Sequence, residues 1–378
     1  MRGFLRKLLL AILALGVLAA IGYLSRRKIH LGDFTWSRFV HAVSQANVWL
    51  LLLSFVAVYG AYALRSLRWR RLSRYLGTSG FASVYSATIM GFASIFILGR
   101  AGEPVRPLLL ARKTHMPVPG MFGVWVLERV TDFAAAVVLA ALSLLVFAEK
   151  LADAGLNTDW VENARAGGWI LLGMLGAVVL LMVYFRLHGA GVLERRLGYW
   201  HRAGGLRGWL AEIIAGFSEG LQAIRRPSDL LIVVIYTAAH WGLVSFIYLW
   251  TARAFPTAFT LSDVTFPGAM LLLAVTLVGS VLQLPGVGGG AQVASFIALT
   301  TIFGVEQEPA AAIAIVLWLI TFAASTVAGV PLLIHEGLSM GELRNLARAE
   351  RTAEHSGKHV SLSRIVGTGS RHESGDRG

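Results

Sequence analysis

The 378 residues contain no cysteine. Disulfides, thiolate nucleophiles and cysteine-bearing metal sites are thereby excluded, while the redox compartment stays open. Charge is also scarce: 15% of residues are Asp, Glu, Lys or Arg and 56% are hydrophobic, whereas a soluble domain carries about a quarter charged residues. No Gly-x-x-x-x-Gly-Lys-Ser/Thr run occurs, so ATP is not an expected energy source. The histidines stand singly rather than at ligand spacing, so no metal and no cofactor is expected. His240, Trp241, Trp318 and His335 read as buried packing or interfacial anchors.

What the sequence does have is a series of apolar runs long enough to cross a bilayer. The formal net charge of +13 sits in clusters between those runs, where it sets orientation and meets anionic head groups, so nucleic acid is not an expected partner. A retained first span is expected over residues 8–24, behind Arg2, Arg6 and Lys7. The second, over 47–64, runs into Arg65, Arg68, Arg70, Arg71 and Arg74, which read together as a cytoplasmic anchor. Further full spans are expected over 119–147, 169–185, 230–250 and 310–334. Glu149, Asp153, Asp159 and Glu162 mark an outer loop, Arg186 to Arg207 an inner one, and 209–224 an interfacial helix.

Two apolar stretches are interrupted. Residues 81–98 stop at Gly99, Arg100, Ala101, Gly102, Glu103 and Pro104, and resume briefly to Arg112 and Lys113. Residues 266–284 stop at Pro285, Gly286, Val287, Gly288, Gly289 and Gly290, and resume to Phe303. A helix cannot run through such breaks, and each arm is short, so each pair of arms reads as a re-entrant hairpin, one entering from either side. A single kinked span is the alternative for the first, and it would invert every later loop. The expected fold is thus all-α and polytopic, with six full spans and two oppositely inserted hairpins, a topology compatible with an inverted repeat. Residues 1–340 form the membrane domain and 341–378 a basic, disordered cytoplasmic tail.

Charges stand where apolar residues are expected: Arg100, Glu103, Arg106, Glu128, Arg129 and Asp132. Each costs about 2.5–3.5 kcal/mol at mid-membrane. Glu103 and Arg106, and Arg129 and Asp132, are three residues apart, while Glu128 and Asp132 are four apart, so each pair shares a helix face. Three cations and three anions can form a neutral ion-pair network that fixes packing. Alternatively Arg100, Arg106 and Arg129 hold a lipid phosphate, which the guanidinium fork matches, with Glu103, Glu128 and Asp132 balancing charge or coupling a proton. At the second break Pro285, Gly286, Gly288, Gly289 and Gln292 allow close backbone approach, either of a neighbouring helix or of substrate at a helix N-terminus.

The ordered trio GRAGEPVRPLLLARK, VLERVTDF and LPGVGGGAQ, the last followed by FGVEQEPAAAIAIVLWLITF, resembles the lysylphosphatidylglycerol synthase transmembrane-region family of flippase-like integral membrane proteins, from about residue 8 to 335. On that family's pattern the Gly-Glu-x-x-Arg element falls on Gly102, Glu103 and Arg106, the Glu-Arg-x-x-Asp element on Glu128, Arg129 and Asp132, and the Pro-Gly element on Pro285, Gly286, Gly288 and Gly289. Gln292 stands where an acidic residue often follows, and Trp318 where an arginine is common. The resemblance implies a bacterial or archaeal cytoplasmic-membrane protein handling a phospholipid or polyprenyl-linked lipid, while the basic clusters are what put both termini on the inside. The aminoacyl-transferring domain of the longest members is not expected here, nor is synthesis of lysyl-lipid.

The expectation is therefore a flippase moving an anionic phospholipid or polyprenyl-phosphate lipid between leaflets. The rivals are a membrane transferase with Glu128 or Asp132 as general base, and a non-catalytic partner of a cell-envelope enzyme docking through the basic loops and tail.

Overall fold

The computed structural model describes residues 34–153, 158–188, 227–256, 258, 264–280, 283–284 and 288–336. The expected first span, the interfacial helix at 209–224, the tail and residues Pro285 and Gly286 lie outside the described residues.

A short helix α1 (Trp36–Ser44) precedes α2 (Val48–Leu72), α3 (Phe81–Leu98), α4 (Val105–Thr114), α5 (Val118–Asp153), α6 (Thr158–His188) and α7 (Pro227–Arg253). Then come α8 (Phe266–Gly279), α9 (Gly290–Thr301) and α10 (Gln307–Trp318), which continues through a π turn (Leu319–Ala323) into α11 (Ala324–His335). Among the described residues, five helical stretches are long and apolar enough to cross a membrane: Val48–Tyr75, Phe81–Leu98, Gly120–Val146, Ser228–Arg253 and Gln307–His335. The chain is a polytopic helical membrane protein. The acidic outer loop expected from Glu149 to Glu162 is mostly helix instead, since α5 runs on to Asp153 and α6 begins at Thr158.

Helix α2 starts where the Asn47 side chain accepts hydrogen bonds from the Trp49 and Leu50 amides, at 3.0 and 3.2 Å, satisfying donors that a helix start leaves free. It packs along α7, while α5 lies against α6 and α11 against α3. One core cluster gathers Phe255, Leu272, Leu299 and Ile313 around α7 to α10. A second gathers Trp69, Met90, Leu110 and Met121 around α2 to α5.

The two interrupted stretches both fold back on themselves. Gly99 adopts φ 63°, which a side chain disfavours, and the Gly99–Gly102 turn reverses the chain so that α4 returns along α3. A Cβ on Gly102 would run into the Ser94 carbonyl. Lys113, near the end of α4, donates to Ser86 Oγ at 2.9 Å, closing the hairpin lower down. In the second stretch α8 and α9 are joined through a two-residue antiparallel pairing of Gln283–Leu284 with Gly288–Gly289. Gly279 lies against the Gly290 carbonyl, and the Thr276 and Ser295 hydroxyls meet at 2.7 Å. Gln283–Leu284 packs on the Gly99–Gly102 turn, so the two hairpin tips touch.

The bundle has two distinguishable ends. At one, Thr35 donates from its amide and hydroxyl to Glu308 Oε1 at 3.0 and 3.1 Å, and the Asn47 amide donates to the Ala254 carbonyl at 2.6 Å. At the other, Arg71 pairs with Asp229 at 2.5 Å and Lys113 with Glu336 at 2.7 Å, beside the exposed Arg70, Arg74 and Arg112. Between them the π turn interrupts the last span, and Tyr59 Oη donates to the Ala324 carbonyl at 2.8 Å just past it.

Because backbone rather than a flexible side chain meets Gly102 and Gly279, Gly102→Val and Gly279→Val are each expected to destabilise by about 1–3 kcal/mol. Gly242→Ala, where nothing lies within 4 Å, should leave stability unchanged. Thermal unfolding of the detergent-solubilised protein measures the difference.

Candidate functional site

Helix α2 carries Val58, Ala61, Tyr62, Arg65, Arg68 and Leu72 on its buried side, at three- and four-residue spacing. The two arginines thus continue an inward-facing row. Arg68 is 0% exposed, which no interfacial anchor would be. Both were expected at the cytoplasmic surface with Arg70, Arg71 and Arg74; the structure separates them from that group, because a helix turns Arg65 and Arg68 toward the core and Arg70 and Arg74 outward.

Their partners are on α5. Arg65 Nη2 donates to Asp132 Oδ2 at 2.7 Å, and its Nε lies 3.5 Å from Glu128 Oε1. Arg68 Nη2 donates to Asp132 Oδ1 at 2.7 Å and to Glu128 Oε1 at 3.0 Å, while its Nη1 donates to Thr237 Oγ1 on α7 at 3.0 Å. Arg106 reaches from α4 to pair with Glu128 Oε2. Arg129 closes the set with contacts of 3.3 Å to Asp132 Oδ2 and 3.4 Å to Glu128 Oε2. The four-residue spacing of Glu128 and Asp132 points both carboxylates at one face, and the three-residue spacing of Arg65 and Arg68 meets it. Guanidiniums between the two carboxylates offset their mutual repulsion.

Aromatic rings line the other side of the cations. The Arg106 guanidinium lies 4.6 Å from the Trp69 ring centroid and 5.5 Å from Phe92, and Arg65 lies 5.1 Å from Phe92. Such contacts are worth about 2 kcal/mol when desolvated. Gly91 leaves the space that the Arg106 stem occupies against α3. His240 is buried beside the cluster and bonds the Ala61 carbonyl at 3.1 Å, so its Nδ1 carries the proton.

Of the residues expected at the site, Arg106, Glu128, Arg129 and Asp132 come together. Arg106 turns to Glu128 across the helix interface rather than serving only a local pair with Glu103. Glu103 is half-buried directly after the hairpin turn, and Arg100 lies within that turn, its side chain outside the described residues. At the second hairpin Gly288 is in the short pairing, and the Gly289 amide donates to Gln292 Oε1. That amide, which faces an anion on one of the two readings of this break, is capped from within. Trp318 meets Phe96 with ring centroids 5.7 Å apart and planes tilted by 35°. Among the described residues no group of three or more His, Cys, Asp or Glu is arranged to hold a metal.

The cluster is graded in exposure. Arg68 and Glu128 are fully buried and Arg106 nearly so, whereas the Arg129 side chain is 40% exposed. The Nε atoms of Arg68 and Arg129 have no hydrogen-bond partner, so donor capacity is left over.

Glu128→Gln is expected to cost about 3–5 kcal/mol, because it strips a buried partner from several guanidiniums. Arg129→Ala should cost under about 1 kcal/mol, as expected for a half-exposed ion pair. Unfolding of purified protein in detergent checks both, and a costly Arg129→Ala would contradict the graded burial.

No curated protein matches the chain. The family described as lysylphosphatidylglycerol synthase TM region does, over residues 8–329, a stretch that contains every charged residue of the cluster. The order of the Gly-Glu-x-x-Arg, Glu-Arg-x-x-Asp and Pro-Gly elements along the chain agrees with that match. With the match covering most of the sequence, the chain belongs to the lysylphosphatidylglycerol synthase transmembrane-region family.

Proposed function

We propose that this protein moves a phosphate-bearing lipid between membrane leaflets, an anionic phospholipid or a polyprenyl-phosphate-type lipid, with Arg106 and Arg129 holding the phosphate. The carrying observation is charge. Arg65, Arg68, Arg106 and Arg129 outnumber Glu128 and Asp132, and they still do when Glu103 is counted with the carboxylates. A network serving packing alone would balance, since surplus buried charge is strongly unfavourable. A guanidinium surplus with unused donors matches a phosphate.

Arg129 is the point of first contact and Arg106 the inner one, with Arg65 and Arg68 anchored to the carboxylates behind them. On this reading α3 with α4, and α8 with α9, are re-entrant hairpins inserted from opposite sides beside six full spans, and their touching tips divide the two faces of the membrane. Movement of the hairpins against the spans then exposes the arginines to either leaflet in turn. Exposed Arg70, Arg74 and Arg112 support an orientation in a cytoplasmic membrane with their end of the bundle facing the cytoplasm.

A transferase would need a carboxylate free to accept a proton. Glu128 and Asp132 are each engaged by more than one guanidinium, which favours charge balance as their role. A docking role for the tail involves residues beyond 336 and draws no support from the cluster.

Purified protein in liposomes with a fluorescent phospholipid, quenched from outside, measures leaflet exchange. Arg106→Ala and Arg129→Ala are expected to slow exchange about tenfold or more, the worth of one lost charge-assisted hydrogen bond. Arg129→Lys should retain part of the rate, Glu103→Gln should lower it, and Gly242→Ala should match wild type. Exchange by wild type no faster than in protein-free liposomes, or arginine variants as fast as wild type, would overturn the assignment.

A further inference from the structure

The opposite end of the bundle carries a second polar site that the arginine cluster does not touch. Val48 and Arg65 are separated by about 26 Å of helix α2, and α1 sits at the Val48 end, packed on the start of α10. Between α1 and α10 lies an open cavity of about 420 Å³ lined by Ser37, Arg38, His41, Ala42, Glu306 and Pro309.

Helix α1 has three distinct sides. Phe39 and Ala42 face the core. Trp36, Val40 and Val43, at four- and three-residue spacing, are 71, 58 and 41% exposed, and Trp49 just below them is 80% exposed. Ser37, Arg38 and His41 line the cavity. A helix with an outward apolar stripe headed by a tryptophan, joined to a membrane span with another in its first turn, lies at the level where acyl chains meet head groups. The Thr35 to Glu308 bonds clamp its beginning to α10, so the cavity is held between two fixed elements.

The geometry points to a binding site for an amine-bearing phospholipid head group in this cavity: Arg38 and His41 receive the phosphate, Glu306 receives the ammonium, and the acyl chains run beside Trp36 and Trp49. Opposite charges on facing sides of one cavity favour a zwitterion over a simple anion, and the adjoining apolar stripe favours a whole lipid over a water-soluble phosphate. This site is independent of the leaflet-exchange reading and involves none of its residues.

Delipidated full-length protein is titrated with a phosphatidylethanolamine, a phosphatidylglycerol, or water-soluble glycerophosphoethanolamine, and bound ligand is counted by native mass spectrometry. Phosphatidylethanolamine is expected to be retained in preference to phosphatidylglycerol by about two- to fivefold, the range of an exposed ion pair. Glu306→Gln should remove that preference while leaving phosphatidylglycerol retention unchanged, and Arg38→Ala should weaken both lipids. Arg129→Ala, in the other site, should leave the preference intact, which separates failure here from failure of the exchange reading. Equal retention by wild type, Arg38→Ala and Glu306→Gln would overturn the site, and equal retention of glycerophosphoethanolamine would overturn its assignment to a lipid.

Discussion

The compensation between the α2 arginines and the α5 carboxylates is the constraint on which the first half of the bundle depends. Arg65 and Arg68 cannot sit in the core unless Glu128 and Asp132 face them, and the carboxylates cannot share a helix face unless cations lie between them. The register of α2 against α5 is thereby fixed to one turn, and Thr237 adds α7 to the same lock. Only then can Arg106 and Arg129 be presented beside an already neutralised pair.

The hairpins supply the second constraint. Glycine at 102 and 279 lets each pair of arms close to backbone contact, and the tips meet at Gln283–Leu284 and Gly99–Gly102. Arg106 stands shortly after one of those tips, held between Trp69 and Phe92. The position of that guanidinium is therefore coupled to whether the tips stay together, with its aromatic neighbours limiting the directions it can turn.

Much of this was legible in the sequence because bilayer-length apolar runs and helix-breaking glycines are coarse, local signals. The spans near 47–64, 119–147, 230–250 and 310–334, and both interruptions, read directly from them. Arg106, Glu128, Arg129 and Asp132 stood out as charges in apolar surroundings. Arg65 and Arg68 did not, because they adjoin Arg70, Arg71 and Arg74 and share their composition. The distinguishing signal was periodic: Arg65 and Arg68 follow Val58, Ala61 and Tyr62 around the helix, whereas Arg70 and Arg74 do not. The reach of Arg106 to Glu128 was hidden because it depends on how α4 packs on α5, which no spacing within one helix encodes. The acidic stretch from Glu149 to Glu162 misled for a similar reason, since charge suggests solvent but does not forbid helix.

The Lys113 and Glu336 bridge joins the far end of α4 to the residue that caps the end of α11. Seven residues separate Lys113 from Arg106 along one short helix, about 10 Å at helical rise. Leu109 and Leu110 of that helix share one core cluster with Leu333 of α11, so the stem that carries Arg106 and the end of the last span are packed as one unit.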